Sequence, residues 1–191
     1  IGGTCLNEGC IPTKTLCHQA KVIDTLTDAE NFGLSGMSYS IDFPKIMERK
    51  ETVIYQLKNG IEVLMQQSGV TVIMGEARLK DEHTVSVGEE EYTAKNIIIA
   101  TGSHAKMPLI EGIDSDIVIT SRELLHIHDI PKRLCIVGAG VIGMEFASVF
   151  SSFGSEVTVI EFLKESLPVL DSDIAKRLRQ TLAKRGVNFY M

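Results

Sequence analysis

A short apolar run followed by a glycine-rich hexapeptide places the strongest restriction on the fold of this chain. Leu134–Val137 precedes the hexapeptide G-A-G-V-I-G, and an apolar segment of helical character, Met144–Phe150, follows directly. Gly138 permits a tight turn, Gly140 lets a ligand approach the backbone, and Gly143 allows the helix to pack closely on the strand. The sequence therefore predicts a strand, a turn and a helix whose N-terminus can hold phosphate groups.

The residues that follow extend this unit into an alternating pattern of strands and helices. Glu156–Ile160 is predicted as the second strand, Asp171–Arg185 as a helix and Val187–Tyr190 as a third parallel strand. Glu161 ends the second strand, 21 residues after Gly140 (161 − 140), and no arginine stands beside it. A carboxylate there accepts hydrogen bonds from ribose hydroxyls and repels a 2′-phosphate. We therefore predict a dinucleotide site that prefers NAD to NADP.

A second feature, near the start of the chain, is a pair of cysteines five positions apart, Cys5 and Cys10. An undistorted helix would separate their Cα atoms by about 7.5 Å, which exceeds the reach of a disulfide. A disulfide requires a bent entry, with Cys5 and Gly9 in irregular backbone and Cys10 near the start of a helix that tolerates Pro12 in its first turn. The helix N-terminus and Lys14 both favour the thiolate. We interpret the pair as redox-active.

Two other interpretations of these cysteines are open. They are inert packing residues, or they bind a metal together with Cys17 and His18. Closed zinc sites normally pair two short segments of the Cys-x-x-Cys type, and this chain has no such pattern. We predict no metal site.

Two motifs in this chain resemble those of a known family. The run GGTCLNEGCIPTK at positions 2–14 resembles the active-site segment of the pyridine nucleotide–disulfide oxidoreductases, and its wording is most similar to the dihydrolipoamide dehydrogenase branch. The segment from Thr93 through Ile97-Ile98-Ile99-Ala100 to Thr101 and Gly102 resembles the second flavin motif of the same flavoproteins. The small residues at its end let the backbone come close to a ligand.

The resemblance implies a role for each residue of the redox centre. Cys5 exchanges with a substrate dithiol, and Cys10 lies against the flavin. Lys14 pairs with Glu145 next to the flavin, and Thr101-Gly102 contacts FAD. Electrons pass from the dithiol of dihydrolipoamide to Cys5 and Cys10, then to FAD and finally to NAD.

The resemblance also implies a fold and a domain organisation. We expect an α/β protein in which a partial FAD-binding Rossmann-like domain (residues 1–112) carries the disulfide. The first part of a NAD-binding Rossmann-like domain (residues 113–191) follows it. The family's first FAD fingerprint and its C-terminal interface domain, which supplies a histidine–glutamate pair, have no match here. We expect this chain to be a piece of a longer homodimeric protein, inactive by itself.

Composition narrows the possible partners. The net charge is −6 and no basic block occurs, which disfavours nucleic acid and an anionic membrane surface as partners. No apolar run reaches membrane-spanning length. Four cysteines in 191 residues are not typical of a secreted disulfide scaffold, so we expect a reducing compartment, the cytoplasm or, in a eukaryote, the mitochondrial matrix. The resemblance implies a lipoyl dithiol carried on a 2-oxo acid or acetoin dehydrogenase complex or a glycine cleavage protein.

The remaining segments carry simpler predictions. We expect a helix over roughly 13–27 and a long helix capped by Asp42, with Lys45, Arg49 and Lys50 on its solvated face. Short strands are predicted at 70–75, 76–80, 84–87 and 89–93. The apolar run at 96–100 is predicted to be a strand buried on both faces.

Three alternatives to the main interpretation are open. The first is a sibling reductase that acts on glutathione, another thiol or mercury, although Glu161 disfavours the members that use NADP. The second is a nucleotide-binding module without chemistry of its own. The third is a redox or metal-binding adaptor that uses Cys5, Cys10 and Cys17 without any nucleotide.

Overall fold

A computed structural model describes all residues, 1–191, as two small sheets and a set of helices. The helices are α1 (Gly3–Glu8), α2 (Cys10–Thr27), a short 3-10 helix (Ala29–Phe32), α3 (Phe43–Gln67), α4 (Ser121–Leu124), α5 (Val141–Ser152) and α6 (Ser172–Lys184). The strands are β1 (Ala77–Leu79), β2 (Thr84–Val87), β3 (Glu90–Thr93), β4 (Arg133–Val137), β5 (Glu156–Ile160) and β6 (Asn188–Tyr190). None of the helices combines the length and apolar character that a membrane span needs.

The parallel sheet lies in the second half of the chain. Its strands lie in the order β4-β5-β6, with Arg133 opposite Glu156 and Thr158 opposite Asn188. Helix α5 connects the first two strands and α6 the last two, the arrangement expected of a dinucleotide-binding half. The predicted strands and the second helix of this region are confirmed within one residue at their ends, whereas α5 begins at Val141 rather than at Met144.

The main hydrophobic core fills the space between this sheet and the helices of the first half. It contains 20 buried residues from both halves of the chain, and Val149 of α5 and Val159 of β5 are completely buried. The ring of Phe153 packs edge-on against Phe150 at 5.8 Å and against Phe43 of α3 at 5.9 Å between centroids. These contacts attach α3 to the parallel sheet through α5.

Local signals define the ends of the long helix α3. The Oδ1 atom of Asp42 accepts a hydrogen bond from the backbone N–H of Lys45 at 3.1 Å, as expected of an N-cap, and Pro44 stands in the first turn. The helix ends with Ser68 as its C-cap, so both predicted ends are confirmed. Helix α2 begins at Cys10, three residues before the predicted start at Thr13 (13 − 10).

The second sheet is a small antiparallel ribbon with the order β1-β2-β3. Ala77 lies opposite Val87, and Thr84 lies opposite Thr93. The outer strands are exposed and only β2 is half-buried, which indicates that no layer of these 191 residues covers the ribbon fully. The predicted strands at 76–80, 84–87 and 89–93 are confirmed within one or two residues at their ends.

Two predicted strands do not form. Residues 70–75 and 96–100 have irregular backbone, and Ile98, which we expected to be buried on both faces, is 90% exposed. A buried strand needs neighbouring strands for its backbone groups and packing layers for its side chains. Among residues 1–191 no strand pairs with either segment, so the apolar sequence alone does not produce the structure.

The prediction that Lys50 is solvated is also wrong. Its side chain is 1% exposed, and its Nζ atom donates a hydrogen bond to the backbone carbonyl of Leu125 and forms an ion pair with Glu51 at 2.9 Å. Burying an ammonium group is tolerated only where it is paired and hydrogen-bonded in this way. Lys50 therefore connects α3 to the end of α4.

Candidate functional site

The cysteine pair lies where two helices meet. Cys5 is in α1, Cys10 is the first residue of α2, and the two form a disulfide with a Cα–Cα distance of 4.6 Å. Gly9 makes the bend between the helices, and a Cβ atom there would lie only 3.0 Å from the carbonyl oxygen of Thr4. Both cysteines are exposed in these 191 residues. The predicted bend and the position of Cys10 are confirmed.

The backbone at Cys5 differs from the prediction, which placed this residue in irregular structure. Cys5 is helical because Gly2, with a φ of 98°, starts the helix and because Gly9 absorbs all of the irregularity that the bend requires. The Nδ2 atom of Asn7 donates hydrogen bonds to the carbonyls of Ile1 at 3.0 Å and Gly3 at 2.9 Å. These bonds connect the C-terminal turn of α1 to the residues at its start.

One turn beyond Cys10, Lys14 forms an ion pair and hydrogen bond with Glu145. The hydrogen bond to the Glu145 carboxylate raises the pKa of Lys14, so the lysine stays protonated at physiological pH. The contact joins α2 to α5, and it therefore places a cation of the cysteine motif beside the helix of the glycine-rich loop. The pairing that the family resemblance implied is present.

A third cysteine, Cys17, lies one turn further along α2. Its thiol is half-buried, and burial together with the nearby Glu145 carboxylate raises its pKa. Cys17 is therefore protonated and a poor nucleophile. No three His, Cys, Asp or Glu side chains of residues 1–191 come together in a group that could hold a metal ion.

The segment that ends in Thr101-Gly102 approaches the cysteine motif although it is not a strand. Gly102 has a φ of 78°, and a Cβ atom there would lie 4.0 Å from the Oγ1 atom of Thr4, the residue before Cys5. Thr101 and Gly102 are exposed. The fold thus brings a small-residue turn next to the disulfide, where the backbone is open to a ligand.

The three glycines of the hexapeptide have distinct surroundings. Gly138 has a φ of 107°, as its tight turn requires. A Cβ atom at Gly143 would lie 2.1 Å from the carbonyl oxygen of Gly138 and 3.2 Å from Cγ2 of Ile136, so only glycine fits between α5 and β4. Apart from Gly140 itself and its two chain neighbours, no heavy atom lies within 4 Å of its Cβ position. The loop therefore leaves an open cradle at the N-terminus of α5, which fits a pyrophosphate.

Glu161 lies beside this cradle. Its Oε2 atom accepts a hydrogen bond from the backbone N–H of Ala139 at 2.7 Å, and its Oε1 atom accepts one from Leu163 at 2.9 Å. The bond from Leu163, followed by that from Ala139, lowers the pKa of Glu161. An ionised carboxylate therefore stands at the end of β5, where it can accept hydrogen bonds from a ribose.

The sequence did not reveal two further contacts, each of which involves the short helix α4 or its C-cap. Glu8 of α1 forms an ion pair with Arg122 of α4, with 2.5 Å between Oε2 and Nη2. The nearby Lys50–Leu125 contact fixes the end of α4. Glu8 and Arg122 are 114 residues apart in the sequence (122 − 8), and Lys50 and Leu125 are 75 apart. A local sequence pattern therefore could not predict either contact.

Known proteins resemble the chain over nearly its whole length. The family described as "Pyridine nucleotide-disulphide oxidoreductase" matches residues 1–191. The dihydrolipoyl dehydrogenase of Acholeplasma laidlawii is 46% identical over 98% of this chain and 57% of its own length. A dihydrolipoyl dehydrogenase of Bacillus subtilis (strain 168) is 37% identical over 100% of this chain and 43% of its own length. The chain thus spans about half the length of these curated relatives.

The fold of the chain is also similar to that of a solved structure. The HOCl-induced flavoprotein disulfide reductase RclA from Escherichia coli, in a Cu(II) complex, superposes with a TM-score of 0.82 at 36% sequence identity. The match covers 99% of this chain and 40% of that protein. The expected α/β arrangement of a flavoprotein disulfide reductase is therefore confirmed.

Proposed function

The chain belongs to the pyridine nucleotide–disulphide oxidoreductase family, and from this premise we propose that it forms the redox-disulfide part of a dihydrolipoyl dehydrogenase. The observation that carries the proposal is the exposed Cys5–Cys10 disulfide beside the Lys14–Glu145 pair. Both relatives named above are dihydrolipoyl dehydrogenases, which supports the choice within the family.

In the proposed reaction, a substrate thiolate attacks the sulfur of Cys5. The Cys5–Cys10 bond breaks, and Cys10 leaves as a thiolate that the N-terminus of α2 and the Lys14 ammonium group stabilise. The second substrate thiol then displaces Cys5. The substrate ends as a disulfide, the protein as a dithiol, and two electrons with two protons have moved from one to the other.

FAD, which membership of the family implies, and NAD, when bound, supply the acceptors that return this dithiol to the disulfide. Lys14, Glu145 and the turn at Thr101-Gly102 would hold the flavin close to Cys10. The loop of Gly138, Gly140 and Gly143 would hold the NAD pyrophosphate, while Glu161 would orient the ribose and disfavour NADP. The open cradle at Gly140 and the ionised carboxylate of Glu161 both fit this assignment.

We extend the proposal to the setting of the reaction. The substrate is a lipoyl dithiol, carried on a 2-oxo acid or acetoin dehydrogenase complex or on a glycine cleavage protein. The full-length protein is proposed to act as a homodimer in the cytoplasm, or in the mitochondrial matrix if the source is eukaryotic. The division at residue 112 into an FAD-binding and a NAD-binding domain stays a prediction.

The test is the replacement Cys10→Ser in the full-length protein. We expect NAD reduction by dihydrolipoamide to fall by about 100-fold or more, because the leaving thiolate is lost. NAD binding, measured by equilibrium dialysis, should not change because the glycine loop is untouched. The matched control is Cys17→Ser, which alters a protonated thiol on the same helix and should keep the parent activity. Retained activity in Cys10→Ser would contradict the proposal.

A second candidate function is a flavoprotein reductase for a substrate other than lipoamide. The specific observation in its favour is the match to RclA, an HOCl-induced flavoprotein disulfide reductase whose solved structure is a Cu(II) complex. Two assays of the same purified protein distinguish the two functions. Reduction of NAD by dihydrolipoamide supports the first. Oxidation of NADH by a disulfide or Cu(II), without turnover of lipoamide, supports the second.

A further inference from the structure

A carboxylate lies within the redox segment itself. Glu8 is the last residue of α1, three positions after Cys5 and two before Cys10. Residues three apart on a helix are neighbours on one face, with about 5–6 Å between their Cβ atoms. An uncompensated negative charge at this position would oppose the appearance of a thiolate at Cys5, because like charges disfavour ionisation.

Arg122 compensates this charge. Its guanidinium lies 2.5 Å from the Glu8 carboxylate, and no other cation of residues 1–191 pairs with Glu8. The nearest cation along the motif, Lys14, is already paired with Glu145. Removing Arg122 would therefore leave Glu8 as a free negative charge next to the cysteines, and removing Glu8 would leave Arg122 as a free positive charge there.

The short helix that carries Arg122 is anchored at both ends. At its start, Thr120 and Glu123 form a capping box, in which the backbone N–H of Thr120 donates to the Glu123 carboxylate at 2.7 Å. At its end, Leu125 is buried in the core and its carbonyl accepts a hydrogen bond from the buried Lys50. Because both ends of α4 are anchored, the backbone that carries Arg122 is fixed relative to α1.

From this geometry we propose that Arg122 is a positioning residue for the redox pair, which neutralises Glu8 and so favours the dithiol form of Cys5 and Cys10. The proposal deepens the proposed function and rests on it, since it assigns a residue that controls the same disulfide. It concerns the equilibrium between disulfide and dithiol at a fixed pH of 7. The charged or ionisable groups that belong to the redox segment up to Cys17, or form ion pairs with it, are Glu8, Arg122, Lys14, Glu145 and Cys17.

The measurement is the equilibrium of the pair with glutathione in the full-length protein, under anaerobic conditions at pH 7. Two glutathione thiols give up two electrons and two protons and become one glutathione disulfide. The Cys5–Cys10 bond takes up both electrons and one proton and becomes a thiol and a thiolate, and the second proton is released to the buffer. Alkylation of the free thiols followed by peptide mass spectrometry gives the reduced fraction at each glutathione ratio. No turnover is needed, so this result and the activity test fail or succeed separately.

The variants are designed so that charge and structure predict different results. In Arg122→Gln, the equilibrium constant for reduction of the cysteine pair should fall by roughly threefold, the size expected of one exposed charge pair. For a two-electron couple this lowers the reduction potential by about 14 mV. In Glu8→Gln it should rise by a similar factor. The double variant Glu8→Gln/Arg122→Gln and the conservative Arg122→Lys should both return close to the parent value. High salt should shrink the single-variant shifts by screening.

The control is Lys80→Gln, which removes another exposed ion pair, Lys80–Glu91, from the antiparallel ribbon and should leave the equilibrium unchanged. The proposal would be overturned if the equilibrium constants of the two single variants shifted in the same direction, or if neither shifted. A purely structural effect does not depend on the sign of the charge that is removed. Circular dichroism checks that each variant folds. If Arg122→Gln does not fold, the sign of the Glu8→Gln shift decides the question.

Discussion

Two apolar segments of similar composition adopt different structures in this molecule. Residues 134–137, L-C-I-V, form most of strand β4, whereas residues 97–100, I-I-I-A, have irregular backbone. The first segment pairs in parallel with β5 and is packed by α5. The second pairs with no strand among these residues and leaves Ile98 exposed. The comparison shows that an apolar run becomes a strand only where partners for its backbone and side chains are present.

The same contrast applies to the glycines. Gly143 belongs to a tightly packed junction of strand and helix, and Gly60 lies in α3 with no heavy atom near its Cβ position. Close contacts therefore restrict the strand–helix junction at Gly143, whereas the surface of α3 at Gly60 is open. The following predictions test this difference, beginning with the largest effect.

The largest effect is expected from Gly143→Ala. The added Cβ atom would overlap the carbonyl oxygen of Gly138 at 2.1 Å, so the loop must move and the free energy of unfolding should fall by about 3 kcal/mol or more. The matched control, Gly60→Ala, adds the same methyl group in open space and should raise stability by about 0.5–1 kcal/mol. Urea denaturation measures both. Equal effects would show that the junction is not tightly packed.

A smaller effect is expected from hydroxyl substitutions in the two apolar segments. Val159→Thr places a hydroxyl in a completely buried position of β5 and should cost about 1–3 kcal/mol. In the 191-residue chain, Ile98→Thr should change stability by no more than about 0.5 kcal/mol, because the side chain is already in water. A cost of Ile98→Thr as large as that of Val159→Thr would mean that the segment at 96–100 is packed after all.

The smallest effect concerns two ion pairs. Arg179 binds Glu165 through two hydrogen bonds of 2.7 and 2.9 Å and lowers its pKa to about 2. Because this pKa is depressed, the stabilisation is fully present above pH 4.5 and is lost as the pH falls through about 2. Glu165→Gln should reduce stability by about 0.5–1 kcal/mol at pH 7 and flatten its fall in acid. The matched variant Glu91→Gln, in the exposed ribbon, should do neither when thermal unfolding is followed from pH 7 to pH 2.

The parts of the fold that the sequence predicted are those with local determinants. The turn at Gly138, the close packing at Gly143 and the N-cap at Asp42 depend on residues a few positions away, and all three were confirmed. The cysteine bend was also predictable, because the spacing of Cys5 and Cys10 excludes a straight helix.

The parts that the sequence did not predict depend on distant partners. Lys50 looked like a surface residue because the carbonyl it binds, that of Leu125, lies 75 positions away. The pair of Glu8 and Arg122 needs the two halves of the chain to be packed together before it exists. The segment at 96–100 has the composition of a buried strand, and composition cannot show whether a neighbouring strand is there.

The central claim is that Cys5 and Cys10 exchange electrons between a lipoyl dithiol and a flavin held beside them. The most direct test is the visible absorption spectrum of the purified full-length protein, before and after anaerobic addition of dihydrolipoamide. The account predicts a flavin spectrum that dihydrolipoamide changes in the parent protein and leaves unchanged in Cys10→Ser, while NADH still reduces the flavin in both. A protein without flavin, or a flavin that dihydrolipoamide reduces equally well in Cys10→Ser, would contradict it.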